Sequence, residues 1–128
     1  MKIAIAVNNE GTIQTKHFGE AAAYLIFEKQ KMNWSKIKTL QNTLQNYDEV
    51  KHGSTQKGEG VVKILKNEGI KAAVSQQYGK NIEIISQYFI PIITSTQRIE
   101  DFLKHLDATT CNKIAQTNAN NSKGLRIP

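Results

Sequence analysis

The sequence predicts an α/β domain with a mixed sheet, and three features of the chain carry that expectation. The first is a continuous apolar run, "KIAIAV" at Lys2–Val7, closed by "NNEG". Such a run bounded by turn residues fits a strand in the middle of a sheet. The second is a pair of β-prone segments, "AYLIFEKQ" and "WSKIKTL", joined by a turn around residues 31–33; together they read as an antiparallel hairpin. The third is the alternation of helical and strand patterns from residue 58 onward, which requires crossover connections and parallel pairing. The order is three strands, then helix, strand, helix, strand and helix, with five strands in all.

Each later element has its own signal. Residues 41–57 are polar and broken by Gly, Ser and Thr, so they read as a long loop of the kind that is usually functional or mobile. From Gly58, Val61, Val62, Ile64 and Leu65 line one helical face, Glu59 complements the positive end, and Gly69 stops the helix as its C′ residue. "IKAAVS" is a short buried strand. In "QQYGKNIEIISQY", Tyr78 and Gly79 form a turn and Ile82, Ile85 and Tyr88 recur at helical spacing. "FIPIITST" is the next strand, with Pro91 at its start or at an edge. Thr96 is placed to cap a last helix whose Ile99, Phe102, Leu103 and Leu106 form an apolar stripe. Residues 107–128 are polar and asparagine-rich and are expected to be a flexible tail, leaving residues 1–106 as the folded domain.

Composition narrows the function. The 128 residues suit one domain, and 39% hydrophobic with 22% charged residues is a globular balance. No apolar run nears the roughly 20 residues that span a bilayer, and the N-terminal run is too short for a signal peptide, so a cytoplasmic protein without membrane association is expected. A single cysteine, Cys111, makes no internal disulfide and cannot cage a cluster or zinc ion alone. Any metal site must therefore rest mainly on the three histidines. The net charge of +6 is scattered instead of blocked, which weighs against nucleic acid and suits a polyanionic small ligand; an RNA- or nucleotide-binding module is the alternative.

Ligands of such sheets gather at the carboxyl ends of the central strands, where residues 8–19, 51–60 and 76–81 would line a crevice. His17 is a candidate metal ligand beside Gly19, whose missing side chain allows close approach; the plainer reading is a loop histidine packed on Phe18. His52 opens "HGSTQKGEG". Gly53 and Gly58 have P-loop separation, but Glu59 and Gly60 stand where lysine and a hydroxyl residue are required. Gly58 and Gly60 can still offer amides to an anion, with Lys57 adding charge, or serve as an ordinary helix entry. "QYGKN" repeats the arrangement with Gly79 and Lys80. His105 falls on an exposed helix side, and Cys111 is a free thiol on the tail, able to fold over a ligand. Trp34 and Tyr24 read as hairpin packing. No carboxylate lies on the first strand, no nucleophile elbow is present, and catalysis is not expected.

The succession "MKIAIAV", "HFGEAAAYLIFE", "KGEGVVKILKNEGIKAAVS", "QQYGKN" and "YFIPII" resembles the nitrogenase accessory factor family of iron–molybdenum cofactor carriers, over residues 1 to about 106. The resemblance implies a ribonuclease H-like three-layer α/β/α fold with a five-stranded mixed sheet. It also implies transient binding of a preformed iron–sulfur or iron–molybdenum–sulfur cluster, and dealings with cofactor-assembly proteins. His17 matches the histidine of the family's H-F-G loop, and His52 lies in a variable loop where members often place another. Gly58, Gly60 and Gly79 match the glycines at the helix entries. The long polar tail and the alanines at 21–23 depart from the family.

Overall fold

The computed structural model describes residues 1–45, 56–118 and 123–128. Six strands form one mixed sheet in the order β3-β2-β1-β4-β5-β6. They are β1 Lys2–Val7, β2 Ala23–Gln30, β3 Asn33–Gln41, β4 Ala72–Ser75, β5 Ile90–Ile93 and β6 Leu125–Arg126. The helices are α1 Gln56–Leu65, α2 Ile82–Ile85, α3 Ile99–Lys104 and α4 Ala108–Gln116. The β2–β3 hairpin turns at Lys31, which takes a left-handed φ of 57°. β1 pairs antiparallel with β2, Ile5 opposite Leu25, and parallel with β4, Ile5 opposite Val74. β4, β5 and β6 continue in parallel. Pro91 is the second residue of β5, so its missing N–H falls at the strand's start.

Alternation along β1 sorts the core into two clusters, one on each side of the sheet. Ile3, Ile5 and Val7 join Phe102 and Leu106 from the region of α3 and Ile114 from α4. Ala4 and Ala6 share the other cluster with Val61, Val62 and Leu65 of α1, and with Phe18, Tyr24 and Tyr78. Along β1, branched aliphatics therefore face one side, while alanines on the other leave room for the Phe18, Tyr24 and Tyr78 rings. Gly69 is not the C′ residue of α1, which ends at Leu65; it closes the following turn at φ 72°, a conformation that costs a side-chain-bearing residue about 1–2 kcal/mol.

Several expectations need correction. Among the described residues the sheet has six strands, not five, because the segment expected to be a flexible tail supplies α4 and β6. Asp107 caps α4 by accepting from the Thr110 amide at 2.8 Å, and Ile114, fully buried, anchors that helix on the sheet. Ile127 is also buried, and its amide donates to Ile93 O at 3.0 Å. The few apolar residues of this polar segment fall on one side, so Ile114, Ile127 and Cys111 suffice to dock it. Cys111 is accordingly buried, with Sγ 3.6 Å from Leu106 O, and is not a mobile thiol. Thr96 does not cap α3; the N-cap is Arg98, and the Thr96 carbonyl instead accepts from Gln76 Nε2 at 3.2 Å. α2 is a single turn, shorter than its apolar spacing suggested, and the Ser86 hydroxyl donates back to Glu83 O as it ends. Of the expected 41–57 loop, Gln41 closes β3 and Gln56 opens α1, while residues 46–55 lie outside the described residues.

If the C-terminal segment is part of the core, Ile114→Ala will lower unfolding free energy by about 2–5 kcal/mol in a urea titration. A loss below about 0.5 kcal/mol, as at ordinary surface positions, would contradict that placement.

Candidate functional site

The loop after β1 is stitched to the end of β4 by backbone and side-chain hydrogen bonds. Gln76 N donates to Gln14 O at 3.1 Å, Phe18 N to Gln77 O at 2.9 Å, and Gln77 Nε2 to Thr15 O at 2.9 Å. His17 and Gln77 form an isolated parallel bridge. His17 is exposed and immediately precedes a 3-10 turn over Phe18–Glu20. Its carbonyl accepts from Glu20 N at 2.9 Å and from the buried Gln14 side chain at 3.3 Å.

Phe18 fixes the loop from beneath. Its ring lies 5.1 Å from that of Tyr78, nearly parallel at 17°, and 4.9 Å from that of Tyr24. Both tyrosine hydroxyls find backbone carbonyls: Tyr24 donates to Phe18 O at 2.8 Å, and Tyr78 reaches Ala73 O and Ile92 O. Asn42, buried just past β3, donates to Gly19 O at 2.9 Å, Ala21 O at 2.8 Å and the Tyr24 hydroxyl at 3.3 Å. The turn after His17 thus has its carbonyls satisfied by side chains from two other elements.

Glycines let the loops meet. Gly79 has φ 66°, and a Cβ there would lie 2.6 Å from His17 Nδ1, so the imidazole rests directly on this backbone. The Lys57 stem covers Gly19 at 3.6 Å; its side chain is buried, with Nζ donating to Gln45 O at 3.3 Å. Gly58 is buried under the Asn81 carboxamide, whose Oδ1 would meet a Cβ at 2.9 Å. His17, Gly19, Lys57, Gly58 and Gly79 therefore fall along one continuous seam joining the three segments. Lys80 is exposed beside Gly79. Gly60 is the fifth residue of α1 and abuts the Leu44 side chain; it allows packing, since an amide at that depth has an intrahelical acceptor. The helix entry at Gly79 is a three-residue 3-10 turn running into one α turn, too short for a substantial dipole. His52 lies outside the described residues. His105 is exposed at the end of α3, away from the core clusters.

Two hollows open at the carboxyl ends of the strands. One, about 340 Å³, is lined by Asn8, Glu10, Gln14, Thr15, Lys16 and others; the second, about 570 Å³, by residues including Gln76, Gln77 and Thr94. Among the described residues no group of three or more His, Cys, Asp or Glu side chains gathers to hold a metal ion. Sequence reasoning missed Asn42 and the bracing role of Tyr24 and Tyr78. An asparagine after a strand has no pattern that separates it from a turn residue, and the tyrosines resembled ordinary packing.

Burial pushes the Tyr24 and Tyr78 phenols well above their ordinary value of 10.0. Since folding favours their neutral forms, the stability they contribute is complete below pH 10 and is lost as pH climbs past it. Urea midpoints should fall steeply above pH 10, and Tyr24→Phe should flatten that fall; an unchanged profile would contradict the assignment. Gly79→Ala combines a strained φ with displacement of the imidazole. It should cost at least about 1–2 kcal/mol and shift the His17 ring resonances, whereas unmoved resonances would show that the ring does not rest on Gly79.

No curated protein matches the chain. The family model described as dinitrogenase iron-molybdenum cofactor matches residues 1–109, from β1 to the start of α4, and so covers the whole seam. This match ties the chain to biosynthesis or binding of that cofactor, and among the described residues no helix is long and apolar enough to cross a membrane. By that match over most of its length, the chain belongs to the dinitrogenase iron-molybdenum cofactor family.

Proposed function

We propose that this protein is a non-catalytic cytoplasmic carrier that holds a preformed metal–sulfur cluster, the iron–molybdenum cofactor or a precursor, and passes it to cofactor-assembly proteins. The observation that carries the reading is the exposed His17 imidazole seated on Gly79, on a loop whose backbone is braced from below. An imidazole is a ligand for iron, and the glycine under it lets the exposed ring sit close against the backbone. The cluster is cargo that arrives with its own sulfides and net negative charge, so one protein donor is enough to anchor it. The lack of a three-ligand cage among the described residues is compatible with this, because a closed cage would hold the cargo too firmly to release.

Lys80 adds charge to the proposed surroundings and His52 is proposed as a second ligand, while Gly19, Lys57, Gly58, Gly60 and Gly79 shape them through close packing. The strand order supports a ribonuclease H-like reading of the fold, with β6 an addition at the far edge. Helices on both sides of the sheet agree with three layers.

Anaerobic titration with a metal–sulfur cluster, followed by its visible absorption, should show saturable uptake. His17→Ala should weaken that uptake at least tenfold, about 1.4 kcal/mol. Equal affinity in the variant would reject His17 as the anchor, and no uptake by the parent protein would reject the carrier reading.

A further inference from the structure

The larger hollow, about 570 Å³, is independent of the His17 seam in its chemistry and falls within the size range of small-molecule sites. It lies at the carboxyl ends of three adjacent parallel strands, β4, β5 and β6, the end at which such sheets bind ligands. Its wall includes Gln76, Gln77, Thr94, Ser95 and Arg126, and none of its lining residues has an acidic side chain. The smaller hollow, by contrast, has Glu10 and Glu20 in its wall.

Arg126 is exposed and forms no ion pair among the described residues, although Pro128, with its main-chain carboxylate, also lines the wall. Its fork of N–H donors matches the two oxygens of a carboxylate or phosphate. β6 fixes its backbone: Ile127 is buried next to it and hydrogen-bonded to Ile93 O, and Gly124 at φ 72° lets the chain pass close to Pro91 O. Gln76 and Gln77 each commit their amide nitrogen to a loop carbonyl, Thr96 O and Thr15 O. Their amide oxygens have no protein donor among the described residues and are free to accept from hydroxyl groups.

We propose that this hollow binds a metabolite-sized ligand bearing one anionic oxygen group, a phosphate ester or a carboxylate, together with hydroxyl donors. Arg126 is its anion-binding residue. The site does not depend on the cluster-carrier reading. It uses β6, which lies beyond the residues matched by the family.

The test is a titration of the full chain with glucose 6-phosphate and, separately, gluconate, with uncharged glucose as control. Binding is followed by the amide resonances of Gln76, Gln77, Thr94 and Ser95. Saturable shifts confined to these residues are expected with at least one anionic probe, and the stronger of the two identifies the anionic group. Arg126→Gln should weaken binding at least tenfold, Arg126→Lys should fall between, and His17→Ala should leave it unchanged. Absence of shifts with both anionic probes would overturn the proposal, as would equal shifts with glucose or full binding by Arg126→Gln. Loss of binding in His17→Ala would overturn it as a separate site.

Discussion

The ring of Phe18, held against Tyr78 on one side and Tyr24 on the other, is the contact through which three chain segments become one site. Each aromatic pair contributes about 0.5–1.5 kcal/mol beyond the area it buries, so the stack is a substantial local term. It exists because β1 and β4 present alanines on that side: Ala4, Ala6 and Ala73 share its cluster. A branched residue at any of them would take volume from the rings. The hydroxyls explain why two of the rings are tyrosines. Each reaches a main-chain carbonyl inside the core, where an unmet acceptor would be costly.

From this stack the rest of the seam follows outward. With Phe18 fixed, its neighbours His17 and Gly19 have little freedom, and Asn42 ties down the carbonyls of Gly19 and Ala21. Gly19 then provides the floor for the Lys57 stem, and His17 the roof over Gly79. An exposed imidazole on such a base is pre-organised in position while remaining open to solvent. That combination separates it from a buried structural histidine, whose ring would be enclosed, and from a loose surface histidine, whose backbone would be unbraced.

The parts of this arrangement that could be read from the sequence are those governed by local periodicity. β1, β2, β4 and β5 were legible as apolar runs, whereas Gly69, read as the C′ residue, closes a turn four residues beyond the last helical residue, Leu65. The C-terminal segment was not legible, because its helix is held by one fully buried isoleucine and a half-polar face, too weak a pattern against an asparagine-rich background. The sixth strand is two residues long, below any periodicity. Asn42 and Gln14 look like loop residues in sequence; only the packed structure shows them buried and donating to carbonyls of the histidine loop. The Asn42 bonds to Gly19 O and Ala21 O span more than twenty positions and leave no local trace.

The C-terminal segment joins stability to the carboxyl-end surface. Ile114 and Ile127 belong to the core cluster that contains Ile3 and Ile5 of β1, so the segment docks by the same apolar burial that holds the central strands. That docking places β6 on the outer edge of β5, covering backbone groups that a sheet edge would otherwise present. It also carries Arg126 into the wall next to Gln77, which is paired with His17 through the parallel bridge. The histidine seam and the arginine-lined hollow thus share one structural neighbour while differing in donor chemistry. One offers an imidazole nitrogen above a glycine, the other a guanidinium among amides and hydroxyls. A single sheet end can hold both because β4 separates them: its carboxyl end feeds Gln76 and Gln77 toward the hollow and Tyr78 toward the aromatic stack.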